Sequence, residues 1–457
     1  MPGYAYFWGC YIPGRLPHME KSTRAVFAHL GIDAVDLDGL TCCPEKTMIR
    51  NMSYRDWLLT AARNLSVAEE AGRTFVTPCT GCFSTLKEAQ VKLHSEPVLR
   101  DEVNRELARI GRHYRGTADV MHVLDVLHHD IGPGGLQQQI IYPMSGLGIA
   151  VHYGCHLLRP SGDLLFDDPF WPTKFDELVE ALGAKSIPYS SKMECCGNLL
   201  LRAGEEDTAQ AMCRGKLRDI IAEGADALTL VCPSCMMQYD TVQFLLQRAG
   251  EDLHLPVFYY PELLGLALGL KPKELGLERH RVDAGPFLDR WHGRREAFDI
   301  IRHHWDLNLL QACAECGACV DDCPVARADP TFDPNALVRM LAAGQVEEVL
   351  HSPDLWKCVE CYTCAELCPN KYDQMSILRQ AKHLAIEAGL APPAAAEGIR
   401  TFRETGQLTQ ASAGQRRRLG LPAPPTVAAG ELRALLGTNE DGSDEDTRTE
   451  SEVSGDE

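Results

Sequence analysis

Residues 227–235 read ALTLVCPSC. Five residues without a charge, Ala227 to Val231, run directly into a Cys-x-x-Cys pair. A short unbroken apolar run of this kind predicts a strand buried on both faces of a parallel sheet. Cys232 and Cys235 then stand at its carboxyl end, where open α/β sheets build their sites. The same junction recurs at residues 74–82, TFVTPCTGC, where Thr74–Thr77 leads to Cys79 and Cys82. Upstream of each junction, after 35 intervening residues in both cases, lies an adjacent pair, Cys195–Cys196 and Cys42–Cys43. Further upstream stands a single cysteine, Cys155 or Cys10, separated from its pair by 39 or 31 residues. Each follows another apolar run, Gly148–His152 or Tyr4–Trp8. Two copies of one unit are therefore expected, over residues 1–145 and 146–280. Helical periodicity at Arg55–Ala71, Lys174–Leu182, Glu205–Glu223 and Met236–Ala249 alternates with the strands, which predicts α/β domains with parallel sheets.

A third segment, residues 285–390, reads as mainly helical around two compact motifs. Cys313, Cys316, Cys319 and Cys323 precede Pro324, and Cys358, Cys361, Cys364 and Cys368 precede Pro369. This is the bacterial two-cluster ferredoxin spacing, in which three cysteines of one loop wrap a cubane and the fourth reaches to the other cluster. Crossed ligation assigns Cys313, Cys316, Cys319 and Cys368 to one [4Fe–4S] cubane. Cys358, Cys361, Cys364 and Cys323 hold the second. Zinc ligands come more often as two separated Cys-x-x-Cys pairs. A helix is expected over Lys371–Leu390, with Met375, Leu378 and Ile386 on one face.

The chain has 457 residues, 19 cysteines and a formal charge of −19. That acidity argues against nucleic acid as a partner, since phosphate binding needs a positive footprint. Nine acidic residues and one arginine crowd Glu440–Glu457. With the Pro- and Ala-rich stretches before it and the Arg416–Arg418 trio, residues 391–457 read as a linker and a disordered acidic tail. No apolar run approaches the roughly 20 residues of a membrane span. The N-terminus lacks a basic region followed by an apolar one, so a cytoplasmic location is expected. In a reducing compartment so many cysteines point to soft-metal ligation rather than to disulfides.

The repeated units carry a surplus of ligands. Adjacent cysteines diverge from a common backbone and suit two metal atoms better than one. Five thiolates per unit exceed the four that a cubane or tetrahedral zinc takes. The surplus points to a larger, non-standard cluster. Zinc bound by four of the five stays open for one of the copies, the first being the better candidate because Pro44 follows its pair where Gly197 follows the pair of the second.

This combination resembles the "CCG" domains in the B subunit of heterodisulfide reductase. Cys195–Cys196–Gly197 matches the name motif, and Cys42–Cys43–Pro44 departs at its last residue. The third segment resembles the C subunit of the same family. The likeness covers roughly residues 4–390 and gives the modules in the order B then C. The membrane-linked D subunit joins them in the opposite order. The resemblance implies a noncubane [4Fe–4S] cluster at Cys10, Cys42, Cys43, Cys79 and Cys82, and another at Cys155, Cys195, Cys196, Cys232 and Cys235. It implies a small disulfide reduced between them. It also implies electrons arriving from the flavin- and iron–sulfur-containing A-type partner of that family. Hydrogenase or formate dehydrogenase subunits are further candidate partners. The competing reading is a non-catalytic electron-transfer subunit of a glycolate- or lactate-oxidising, or an electron-bifurcating, complex. A third is the reverse reaction, oxidising thiols.

Other residues invite roles. His156, next to Cys155, and His152 are candidate proton donors to a leaving thiolate, against a plainer packing role. Arg15 and His18, after Cys10, are candidates to meet an anionic substrate or simply to lie on the surface. Cys213, outside every motif, reads as a small buried hydrophobe. No phosphate loop, dinucleotide fingerprint or Ser–His–Asp arrangement is present.

Overall fold

The computed structural model describes residues 3–409, 412–424 and 426–436. These fall into two compact units, divided between Asp299 and Ile300. The first unit contains two parallel four-stranded sheets. Strands β1 (Tyr4–Tyr6), β2 (Ala34–Val35), β3 (Thr74–Thr77) and β4 (Val120–His122) take the order β2-β1-β3-β4. Strands β5 (Gly148–His152), β6 (Lys185–Ile187), β7 (Ala227–Leu230) and β8 (Val257–Tyr259) take the order β6-β5-β7-β8. The two copies expected from the cysteine spacing are thus two copies of one topology.

The central strands owe their position to apolar content. Phe75, Val76, Leu228 and Leu230 are buried, as are Ala5, Ile149 and Val151. Covering helices are cut where local chemistry stops them. The Tyr54–Ala71 helix starts at Ser53, whose hydroxyl accepts the Asp56 amide at 3.3 Å, and ends at Gly72 in the left-handed region. The Cys-x-x-Cys pairs open helices that leave β3 and β7: Cys79 precedes Thr80–Ser95, and Cys232 precedes Pro233–Met236. Sulfurs at such N-termini face unpaired amides and the positive end of the helix dipole. Beyond Met236 the predicted helix does not run on uniformly. Met237–Val242 widens into a π-helical turn before Gln243–Arg248 resumes.

The second unit is helical among its described residues. Leu307–Cys316 starts at Asp306, which accepts the Asn308 and Leu309 amides. It packs with Pro334–Ala342, and Gln374–Glu387 lies within the expected Lys371–Leu390. The stretch that composition reads as a linker carries helices Pro393–Thr405, Ala413–Arg418 and Ala429–Leu435. The acidic tail, Glu440–Glu457, lies outside the described residues. No helix among the described residues is long and apolar enough to cross a membrane.

Candidate iron–sulfur sites

All ten cysteines of the two repeats line one cavity of ≈ 250 Å³. Their sulfurs form a continuous file. Cys10 Sγ lies 3.7 Å from Cys42 Sγ, and contact passes on through Cys43 and Cys82 to Cys79. Cys79 touches Cys232 of the other repeat. From there the file runs through Cys235, Cys196 and Cys195 to Cys155, 3.8 Å from Cys195. The order of one half mirrors that of the other. All ten are free thiols, so no disulfide competes for them.

Local structure explains the gathering. The single and Cys-x-x-Cys cysteines follow the central strands β1, β5, β3 and β7, so four carboxyl strand ends converge. The Cys-Cys pairs arrive on loops. Glycine makes the approach possible. Gly9, at φ 68°, would bring a Cβ to 2.7 Å from Cys82 Sγ. Its counterpart Gly154, at φ 78°, would stand 3.7 Å from Cys235 Sγ. Amides point at sulfur in both repeats: Cys82 N donates to Cys79 Sγ at 3.5 Å and Gly197 N to Cys195 Sγ at 3.4 Å.

A buried lysine stands behind each half. Lys46 Nζ contacts Ser84 and Glu88, and Arg50 meets the other Glu88 oxygen at 2.7 Å. Lys216 Nζ donates to Glu194 O at 2.7 Å and lies 3.3 Å from His152 Nδ1. Burial lowers Lys216 to about 8, against the pull of nearby Cys235 and Cys196. Neither lysine figures in the sequence reading, because a lone Lys in a loop or helix carries no pattern. The glycine before each first cysteine is a signal that spacing did offer.

The candidate histidines part company. His156 lines the cavity, its proton affinity lowered by burial and then by Lys46. His152 is fully buried behind it, within 4.8 Å of Cys196 and Cys235 sulfurs, and burial holds it neutral. Arg15 is exposed and His18 is buried elsewhere, so neither meets the cavity. The cation at the cavity is Arg202 of the second repeat, whose guanidinium lies 4.8 Å over the Tyr11 ring of the first. Trp8, Met48, Ile49 and Leu199 complete an apolar wall. Cys213 is buried away from the file and donates to Gln238 O at 3.2 Å.

In the second unit, Cys313, Cys316, Cys319, Cys364 and Cys368 line one cavity and Cys319, Cys323, Cys358, Cys361 and Cys364 another, so Cys319 and Cys364 border both. Gln374 borders both and accepts from Cys319 Sγ at 2.5 Å. Tyr372 N donates to Cys368 Sγ at 3.1 Å. Converging thiols, amide donors to sulfur and the absence of disulfides among the described residues suit iron–sulfur clusters in both units.

Similarity to known proteins agrees with this chemistry. A cysteine-rich domain family named CCG matches residues 4–87 and 149–240, and a 4Fe-4S dicluster domain matches residues 309–372. The B subunit of the ferredoxin/F(420)H(2)-dependent CoB-CoM heterodisulfide reductase of Methanosarcina acetivorans is 39% identical over 63% of this chain and 96% of its own length. The 8-methylmenaquinol:fumarate reductase membrane anchor subunit of Wolinella succinogenes is 33% identical over 62% and 97%. A protein of Archaeoglobus profundus resembling the C subunit of heterodisulfide reductase is 32% identical over 28% and 68%, on the C-terminal part. Two sheets of one topology, a shared sulfur file and a helical dicluster region thus meet in one chain, which belongs to the heterodisulfide reductase family, fuses the modules of its B and C subunits and is an iron–sulfur electron-transfer protein.

Proposed function

We propose that this chain reduces a small disulfide within a larger complex fed by a flavin-bearing partner. In this reading the five cysteines of each repeat hold a noncubane [4Fe–4S] cluster, and the eight of the second unit hold two cubanes by crossed ligation. Bound there, such clusters supply electrons singly and offer iron to product sulfurs. The remaining chemistry belongs to the chain. The apolar wall of Trp8, Met48, Ile49 and Leu199 excludes water from the S–S bond. Arg202 binds an anionic end of the substrate, held in place by stacking on Tyr11. His156 passes a proton from its ring nitrogen to a departing sulfur. Reduction takes two electrons and two protons and yields two thiols.

The observation that carries this reading is the unbroken file of ten sulfurs in one cavity. Its mirror order favours the same kind of cluster in both halves, Pro44 notwithstanding. A second reading, a non-catalytic conduit, draws on the relative named as a fumarate reductase subunit. Electron paramagnetic resonance of the oxidised protein separates the two. A cluster signal that appears only when a candidate thiol is added supports disulfide chemistry. A spectrum indifferent to every thiol tried supports the conduit.

A further inference from the structure

Away from the cavity, three ligand-type side chains meet in the interior of the first unit. His18 lies at the start of helix Pro17–His29, in the first repeat. Glu262 lies in helix Tyr260–Ala267, which follows β8 of the second repeat. His280 follows the short turn Leu277–Arg279. One ligand atom from each falls within 4.8 Å of the others. His18 is 3% exposed and Glu262 0%, and the His280 side chain is 2% exposed.

Hydrogen bonding leaves this cluster incomplete. His280 Nε2 meets Glu262 Oε1 at 3.1 Å. The other Glu262 oxygen accepts the Tyr259 amide at 2.8 Å, which fixes the carboxylate. His18 Nε2 makes no hydrogen bond of normal geometry, and His280, apart from Glu262, is reached only by the Val257 backbone, although both rings are buried. Buried ring nitrogens are rarely left so. The pseudo-equivalent acid in the first repeat, Asp125, occupies the same third position of the helix after β4. There a lysine supplies the positive charge, with Lys174 Nζ 3.9 Å away. At Glu262 two imidazoles stand instead.

We propose that His18, Glu262 and His280 bind a zinc ion that clasps the two repeats together. Two imidazoles and a carboxylate are a set that zinc accepts readily. The Tyr259 amide does for Glu262 what outer hydrogen bonds do for metal-bound carboxylates generally. Gly276 permits the fit: a Cβ there would come within 2.9 Å of His18 Cβ. The three side chains are buried and lie outside the cavity-lining set, so the ion would join the repeats and take no part at the cavity, with a water completing its four-coordinate shell.

The test is zinc and iron analysis of the full chain with zinc K-edge absorption. About one zinc per chain, with nitrogen and oxygen neighbours near 2.0–2.1 Å and no sulfur shell near 2.3 Å, is expected. In His18→Ala or Glu262→Gln, zinc retention falls roughly tenfold or more while iron stays unchanged. Should those variants fail to fold, the absorption spectrum of the unaltered protein decides alone. Absence of zinc after incubation with the metal, a sulfur shell around it, or undiminished zinc in folded His18→Ala protein overturns the proposal.

Discussion

The two repeats share a sheet order and a sulfur file, yet their ends differ. Cys10 and Cys42 are exposed, whereas Cys155 and Cys195 are partly covered. The first repeat fixes its lysine with a carboxylate, Glu88, and the second uses a backbone carbonyl and an imidazole. The glycine before the first cysteine is crowded by sulfur in one and has room in the other. A duplicated scaffold has thus kept the geometry that gathers sulfur and let the surroundings diverge. The first half offers the open end, and the second contributes the cation that faces it, Arg202.

Breaking the symmetry at the sulfurs should cost the most. Cys43→Ser and Cys196→Ser should each cost about four irons per chain, and disulfide reduction should fall by at least on the order of 100-fold. Equal losses in iron assays would show equivalent halves; loss from Cys196→Ser alone would mean that the first repeat holds something else.

Next come the glycines. Gly9→Ala forces a left-handed residue against Cys82 Sγ and should destabilise by about 2–4 kcal/mol, with iron lost. Gly154→Ala meets only the backbone penalty, about 1–2 kcal/mol. Denaturant unfolding of both variants measures the gap, and equal effects would contradict the asymmetry described.

Arg202→Met should raise KM for an anionic disulfide roughly tenfold with kcat nearly unchanged. A neutral disulfide should show little change. If both respond alike, Arg202 positions the loop rather than the substrate.

The smallest effect concerns pH. Burial raises the Asp125 carboxyl to about 6, with Lys174 opposing. The folded state then holds its proton more tightly than the unfolded chain. This group's contribution is full below its unfolded value and is lost as pH rises through about 6. Asp125→Asn should therefore gain on the unaltered protein by about 1–3 kcal/mol between about pH 4 and about pH 7. A constant difference across that range would refute the assignment.

The central strands were legible because apolar runs ending at cysteine need no partner to be recognised. Thr74–Thr77 and Gly148–His152 stand in the structure as spacing predicts. The edge strands were not. β2 is two residues long, and β6 contains Lys185 and Ser186, so neither carries a period. The sulfur gathering followed from repeated spacing, but its surroundings depend on contacts far apart in sequence. Arg202 reaches the cavity beside Tyr11 only because the repeats face one another. His18 sits three residues past Arg15, yet its partners lie more than 240 residues away. In Pro393–Thr405, proline at the helix start, an alanine run and closing Gly406 favour a helix, which overall composition conceals.

Whether all eighteen patterned cysteines hold iron is decided by iron and acid-labile sulfide analysis of the anaerobically purified chain. Clusters at both five-sulfur sets and both four-sulfur sets predict about sixteen irons and a matching sulfide content. About eight irons, confined to the second unit, would leave the file of ten sulfurs without iron and without a seat for disulfide chemistry.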